Sequence, residues 1–159
     1  MLRCFTITRI IIRYNPVDIM KLQLCVLLVL LPAVSLASSL NLENYTATVN
    51  TLKSELCLPT ETGKDCFPVL IGGDTPKGTF KLDIYKTSKK GYGGEILGFH
   101  KDGKDIYAVH RVWNGNPTEK RERRIKSNNI ADRLITNGCI NIGEDGYNAV
   151  RNMLVLQVI

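Results

Sequence analysis

The chain has 159 residues, of which 44% are hydrophobic, and its 21 basic and 15 acidic side chains give a formal net charge of +6. This length and composition fit one folded domain with a packed core and argue against disorder. Residues 1–37 hold four of the basic side chains and one of the acidic ones, so the rest of the chain is only mildly basic. That charge is too weak to predict a nucleic-acid-binding protein.

The N-terminal part of the chain has the pattern of an export signal. Lys21 precedes the apolar segment 22–36, which ends at the small-x-small cleavage site Ser35–Ala37. The alternative is a membrane anchor, but about 15 apolar residues interrupted by a proline are fewer than the ~20 that a spanning helix needs. We therefore predict that residues 1–37 form a cleaved signal, with Met20 as an alternative start of translation. The protein would then be exported to the periplasm or cell envelope, without a stable membrane anchor.

Removal of that signal would leave an odd number of cysteines. Cys4 and Cys25 lie inside it, and Cys57, Cys66 and Cys139 remain. Cys57 and Cys66 are close enough in sequence to bridge a short loop in an oxidising compartment, or they are free and partly buried. In either case Cys139 has no obvious partner, which makes it a thiol of interest.

The first part of the exported chain, residues 38–66, is predicted to be a lead-in to the main domain at 67–159. Residues 38–56 are polar and mildly amphipathic, which indicates a short helix or an irregular segment. Residues 59–65 are rich in turn formers, and the first strand is predicted at 67–71.

The remainder of the pattern is that of short strands separated by turns about every ten residues, which predicts a mainly β domain with short helices. The clearest strand is 106–113, after a predicted hairpin loop at 101–105. Other predicted elements, in chain order, are a turn at 75–80 leading into a strand with Leu82 and Ile84, a turn at 91–94, a strand at 96–100, a helix at 144–153 and a strand at 154–159.

Residues 114–134 interrupt this pattern because they are polar and rich in arginine and lysine. Basic and acidic side chains alternate there, which favours a solvated helix or loop. The alternative is a basic flap beside a functional site.

Two residues offer nucleophilic chemistry. Cys139 follows Gly138 on a turn of small polar residues, and His110 lies at the end of an apolar run. An imidazole near a thiol can take its proton, and backbone amides around a glycine turn can stabilise an oxyanion. The alternative is a turn cysteine and an unrelated strand histidine. Two histidines and one spare cysteine lack the spacing of a metal site.

Three motifs in order resemble the L,D-transpeptidase (YkuD-type) family. The segment Thr136–Asn141 reads Thr-Asn-Gly-Cys-Ile-Asn and resembles the family's cysteine motif. Thr75–Phe80 reads Thr-Pro-Lys-Gly-Thr-Phe and resembles its Thr-Pro-x-Gly-x-Phe turn. His110 falls at the end of a strand, where the family places its histidine. The resemblance covers about residues 67–150.

The chain departs from the common family pattern at four points. Arg111 stands where glycine is usual, Asn137 stands where many members have histidine, and the interval between His110 and Thr136 is long. The chain also stops soon after Asn141, so the last strand is expected to be short or missing. These features resemble a subgroup with His-Arg and an arginine-rich insertion.

The resemblance implies a β-sandwich with the catalytic cysteine in a cleft, acting on peptidoglycan stem peptides without a cofactor. Cys139 would be the acyl carrier and His110 the general base and acid, with the amides of Gly138 and Cys139 holding the oxyanion. The implied activity is a transpeptidase that forms cell-wall cross-links. The remaining implied roles are contacts to the substrate, which are assigned to Arg111, Arg133 and Asn141.

Three other functions fit the same sequence. The first is an L,D-carboxypeptidase that hydrolyses the same bond. The second is a catalytically silent wall-binding module, against which the presence of both Cys139 and His110 counts. The third is a small secreted binding protein in which Cys139 is paired in a disulfide. The sequence does not define the oligomeric state.

Overall fold

The fold was analysed in a computed structural model, which describes residues 41–159. These residues form nine strands, two short α-helices and three 3-10 turns. The strands are β1 (Thr46–Asn50), β2 (Glu55–Thr60), β3 (Gly63–Leu70), β4 (Gly78–Lys81), β5 (Asp83–Lys86), β6 (Glu95–Asp102), β7 (Asp105–Arg111), β8 (Ile140–Ile142) and β9 (Val155–Val158). The helices are α1 (Arg121–Arg124) and α2 (Glu144–Val150), and the 3-10 turns are Leu42–Tyr45, Pro117–Glu119 and Ile130–Arg133.

All nine strands belong to one sheet with the order β4-β9-β1-β2-β3-β8-β7-β6-β5. Strand β3 is shared by two halves, pairing with β2 on one side and β8 on the other. Two neighbouring pairs are parallel, β1 with β9 and β7 with β8. Since parallel neighbours cannot be joined by a hairpin, each of these pairs requires a long connection.

One hydrophobic core joins the two halves of the sheet. Ala47, Val49 and Leu156 come from one half, and Val109 and Ile142 from the other, and all five are fully buried in the same cluster. Helix α2 adds Tyr147 and Val150 to it. The prediction of a mainly β fold with short helices is therefore confirmed, and so are the predicted strand at the C-terminal end and the helix before it.

The predicted lead-in at 38–66 is wrong, because its described residues supply β1, β2 and half of β3. In β1 every second residue is buried, as it is in β2 up to Leu58. A short helix or an irregular segment was predicted for residues 38–56, but Leu52 is 82% exposed and lies in the turn between these strands. Period-two burial of Leu56 and Leu58 is the signature of a strand instead. The predicted boundary at 66/67 falls inside β3.

Cys57 and Cys66 are directly opposite each other in β2 and β3 and form a disulfide. Among residues 41–159, Cys139 is the one free cysteine. This arrangement leaves the thiol of Cys139 available for chemistry. It argues against the alternative of a binding protein in which Cys139 is paired in a disulfide.

The predicted signal at 1–37 lies outside the described residues. None of the helices within residues 41–159 is long and apolar enough to cross a bilayer.

The disulfide should stabilise the fold measurably. The double variant Cys57→Ser/Cys66→Ser is expected to lose about 2–3 kcal/mol of unfolding free energy, because the bridge closes a short loop that restricts the unfolded chain. Urea unfolding of oxidised wild type and the variant measures the loss, with Cys139→Ser as the control that removes only a free thiol. Equal midpoints for the oxidised wild type and the double variant would contradict this expectation.

Candidate active site

The parallel pair β7 and β8 brings the predicted cysteine and histidine together. His110 is the register partner of Asn141, and Cys139 immediately precedes β8. Because alternate residues of a strand share a face, Cys139 and Asn141 lie on the same side of the sheet as His110. Cys139 and His110 both line one cleft of about 580 Å³. The predicted cysteine in a cleft is thereby confirmed.

The rest of the cleft is aromatic and basic. Tyr85, Tyr92 and Tyr107 supply aromatic rings. Three lysines also line the cleft, against a single acidic residue, Asp105. These lysines are Lys86, Lys89 and Lys104. A cleft with this excess of positive charge favours a substrate that carries carboxylates.

The turn that presents Cys139 depends on Gly138. Its φ is +103°, a conformation that side chains other than glycine rarely adopt. A Cβ at this position would lie 2.4 Å from Cε1 of Tyr107. The hydroxyl of Thr136 donates a 2.6 Å hydrogen bond to the carbonyl of Cys139, which closes the turn. The sequence Thr-x-Gly-Cys is therefore explained by the shape of the turn.

The turn at Thr75 packs directly against the cysteine turn. The backbone N–H of Gly72 donates to Oγ1 of Thr75 at 3.2 Å. A Cβ on Gly72 would lie 1.7 Å from the carbonyl oxygen of Thr136, so the two backbones are in contact there. The start of the Thr75–Phe80 motif therefore lies against the cysteine motif.

His110 is buried and held at both ring nitrogens. Nδ1 lies 2.6 Å from the carbonyl oxygen of Arg111, and Nε2 lies 3.4 Å from Nδ2 of Asn141. A carbonyl oxygen only accepts hydrogen bonds, so Nδ1 carries the ring hydrogen and Nε2 is unprotonated. The backbone of Arg111 is therefore the third group that orients the histidine, which the sequence could not identify.

Asn141 contacts the histidine and has no exposed surface. Its Oδ1 accepts from the backbone N–H of Trp113 at 3.1 Å and from Nη1 of Arg121 at 2.9 Å. With both donors on Oδ1, the amide nitrogen must face His110. Asn141 was predicted to bind substrate, and the structure places its side chain against the imidazole of His110.

Burial keeps both reactive groups uncharged. It lowers the pKa of His110 to about 4, opposed by the hydrogen bond to Arg111 and reinforced by the charge of Arg121. Burial also raises the pKa of the Cys139 thiol, opposed by the backbone of Ala108 and by Arg121. The thiol contacts the carbonyl oxygen of Ile106 at 3.9 Å and makes no hydrogen bond to His110. Near neutral pH the site therefore holds a thiol and a neutral imidazole that can act as a base.

Arg111 was predicted to contact substrate, but it is not among the residues that line the cleft. Adjacent residues of a strand point to opposite faces, so Arg111 faces away from the side on which His110 lies. Its Nε donates to Oε2 of Glu144 at 2.8 Å, and its guanidinium lies 4.0 Å from the ring centroid of Tyr147. Only its backbone carbonyl takes part in the site.

Arg133 does not line the cleft either. Its Nη1 donates to the carbonyl of Ser127 at 3.0 Å, and its Nη2 donates to the carbonyl of Lys53 at 2.8 Å. These bonds fasten the basic segment to the turn between β1 and β2. The side chain of Arg133, which was predicted to contact substrate, is thus engaged with backbone carbonyls outside the cleft.

Two residues at the site were missed by sequence reasoning. The ring of Tyr92 packs edge-on against His110 at a centroid distance of 4.7 Å, and burial raises the pKa of its hydroxyl. Gly91 and Gly93 on either side have positive φ, so the only sequence signal was the glycine turn itself. Arg121 reaches the site through Asn141, although a solvated helix or loop was the favoured prediction for segment 114–134.

No family model matches the chain, and no curated protein sequence matches it. Its structure is similar to solved structures of L,D-transpeptidases, the family that the three motifs resemble. An L,D-transpeptidase 3 from Mycobacterium tuberculosis has a TM-score of 0.49 and 10% identity over 73% of this chain and 61% of that one. A second L,D-transpeptidase from M. tuberculosis H37Rv has a TM-score of 0.48 and 12% identity over 73% and 57%.

An L,D-transpeptidase from Xylanimonas cellulosilytica has a TM-score of 0.45 and 14% identity over 72% of this chain and 59% of that one. The chain thus spans about three fifths of the length of each of these structures.

The low pKa of His110 should appear in the pH dependence of stability. The unfolded chain binds a proton near pH 6.5 and the folded chain only near pH 4, so stability from neutral His110 is present above pH 6.5 and lost as the pH falls towards 4. We expect the urea midpoint of wild type to fall across this window and that of His110→Gln to fall less. The exposed His100, changed to Gln, is the control and should retain the wild-type slope. Equal slopes for wild type and His110→Gln would refute the expectation.

Proposed function

We propose that this protein is a cysteine-dependent acyltransferase of the L,D-transpeptidase type that acts on peptidoglycan stem peptides. The observation that carries the proposal is the position of Cys139 and His110 on one face of β7 and β8, in a single cleft. The free thiol, the oriented imidazole and the glycine turn are the three parts that acyl transfer through a thioester needs. The resemblance of the motifs supplies the substrate class.

In the acylation step, Sγ of Cys139 attacks the carbonyl between the L-centre of a diamino acid and a terminal D-residue. Nε2 of His110 takes the thiol proton as the S–C bond forms, and then gives it to the amine that leaves as the C–N bond breaks. The imidazole fits this role because it is neutral and its basic nitrogen faces Asn141 on the cleft side of the sheet. The products are a thioester on Cys139 and a free D-amino acid.

In the second step, an amine of another stem attacks the thioester and gives a cross-link. Its proton returns through His110 to the sulfur, and the free thiol is regenerated. Water as the acceptor gives the carboxypeptidase reaction with the same residues. The backbone amides of Gly138 and Cys139 are our candidates for holding the oxyanion, since the turn places them beside the sulfur.

The lysines of the cleft are better placed for substrate carboxylates than Arg111 and Arg133. Lys89 and Lys104 line the same cleft as Cys139, whereas the two arginines are engaged elsewhere. Stem peptides carry several carboxylates, so this charge suits them. The disulfide between Cys57 and Cys66 supports export as part of the proposal, because such bridges persist in oxidising compartments.

The proposal predicts a covalent adduct on Cys139. Incubation with a carbapenem should add the whole mass of the reagent, because the S–C bond forms as the lactam C–N bond breaks. With a tetrapeptide stem, the adduct should lack the terminal D-residue. Intact mass measurement detects both, and Cys139→Ala should abolish them. Absence of any adduct on wild type with both reagents would refute the proposal. Addition of an acceptor amine then separates transfer from hydrolysis by the mass of the product.

Removal of the base should slow acylation without unfolding the protein. His110→Gln is expected to lower the rate of adduct formation by roughly 10²-fold or more, the scale of general base catalysis. Stopped reactions followed by mass measurement give the rate, with His100→Gln as the matched control. An unchanged rate in His110→Gln would remove His110 from the mechanism.

A further inference from the structure

Arg121 is a largely buried charged residue in the basic segment between β7 and β8. It is the first residue of α1, and its side chain is only 13% exposed. Its neighbour Arg123 on the same helix is exposed. A charged side chain that is withdrawn from water normally has partners that compensate for the lost hydration. Those partners identify what Arg121 does.

Three contacts fix the guanidinium of Arg121. Its Nε donates to Oε2 of Glu119, and its Nη1 donates to Oδ1 of Asn141 at 2.9 Å. The plane also lies over the ring of Trp113, with Cζ 5.0 Å from the ring centroid. The planar fork of arginine can make these contacts at once, whereas the single ammonium of lysine cannot.

The contact to Asn141 reaches the catalytic base. An amide side chain has an acceptor end and a donor end, and it can rotate by half a turn to exchange them. Arg121 and the N–H of Trp113 both donate to Oδ1. If the amide were reversed, its NH₂ group would face these two donors and could not accept from them. Nδ2 is therefore the end that meets Nε2 of His110, at 3.4 Å.

We propose that Arg121 is a positioning residue that fixes the amide of Asn141 and thereby holds His110 in the tautomer with hydrogen on Nδ1 and an unprotonated Nε2. A donor at Nε2 is compatible only with a hydrogen on Nδ1, where the carbonyl of Arg111 accepts it. The effect on the tautomer concerns the free protein. Its consequence for acyl transfer rests on the proposed function.

The alternative is that Arg121 only stabilises the segment or supplies charge. Two variants separate these roles. Arg121→Lys keeps the charge but loses the fork, and Arg121→Gln loses both. Arg123→Gln is the matched control, since it removes the same charge two residues along the same helix.

The test measures the tautomer of His110 directly by ¹⁵N NMR of the ring nitrogens, in the whole protein at neutral pH. His100 is the only other histidine, so its signals serve as the internal reference. We expect wild type and Arg123→Gln to show hydrogen on Nδ1 at His110. We expect Arg121→Gln and Arg121→Lys to show a shift towards hydrogen on Nε2. Acylation by a carbapenem should slow about 10-fold in both, the usual scale of a lost hydrogen bond to a charged group.

Unchanged His110 signals in Arg121→Gln would overturn the inference, as would wild-type behaviour of Arg121→Lys. If Arg121→Gln does not fold, Glu119→Gln tests the same arrangement, because it removes the carboxylate that accepts from Nε of Arg121. That variant should shift the tautomer in the same direction, and unchanged signals would again overturn the inference. A wild type that forms no adduct would refute the proposed function alone, because the NMR result still decides the role of Arg121.

Discussion

The parallel pairing of β7 with β8 is the constraint on which the site depends. It sets His110 opposite Asn141 and places Cys139, which immediately precedes β8, on the same face of the sheet. Parallel neighbours need a connection of a dozen or more residues, because a tight turn would make them antiparallel. The long interval between His110 and Thr136 is therefore the crossover that the pairing demands. The same crossover carries Arg121 back to Asn141.

The reactive pair is adapted to a buried setting. A thiolate and an imidazolium would both be poorly hydrated at these positions, and burial shifts their pKa values towards the neutral forms. The charge on Cys139 would then develop only during attack, when the proton moves to His110. A neutral thiol also reacts more slowly with oxidants than a thiolate does, which protects a free cysteine.

The sequence sufficed where a short stretch of residues determines both local shape and chemistry. Gly138 and Thr136 define the cysteine turn by themselves, and the apolar run before His110 defines β7. Prediction from the sequence failed where the role of a residue depends on which face of a strand its side chain occupies. Arg111 was assigned to the substrate on the family resemblance, yet its place next to His110 on a strand puts its side chain on the opposite face. Residues 38–56 were likewise predicted to be a short helix or an irregular segment, because local pattern does not show the tertiary pairing of β1 with β2.

The contribution of Arg121 could not be predicted for a different reason. Alternating arginine and glutamate residues are typical of a solvated surface, and nothing in that alternation distinguishes Arg121 from Arg123. The distinction arises from the crossover, which turns one of them towards Trp113 and Asn141 and leaves the other in water. A carboxylate beside His110 would orient the ring but would also raise its pKa. A neutral carbonyl and a neutral amide orient it without that effect, and the arginine behind the amide fixes its direction while lowering the pKa of the imidazole. The arrangement therefore separates orientation of the base from control of its charge.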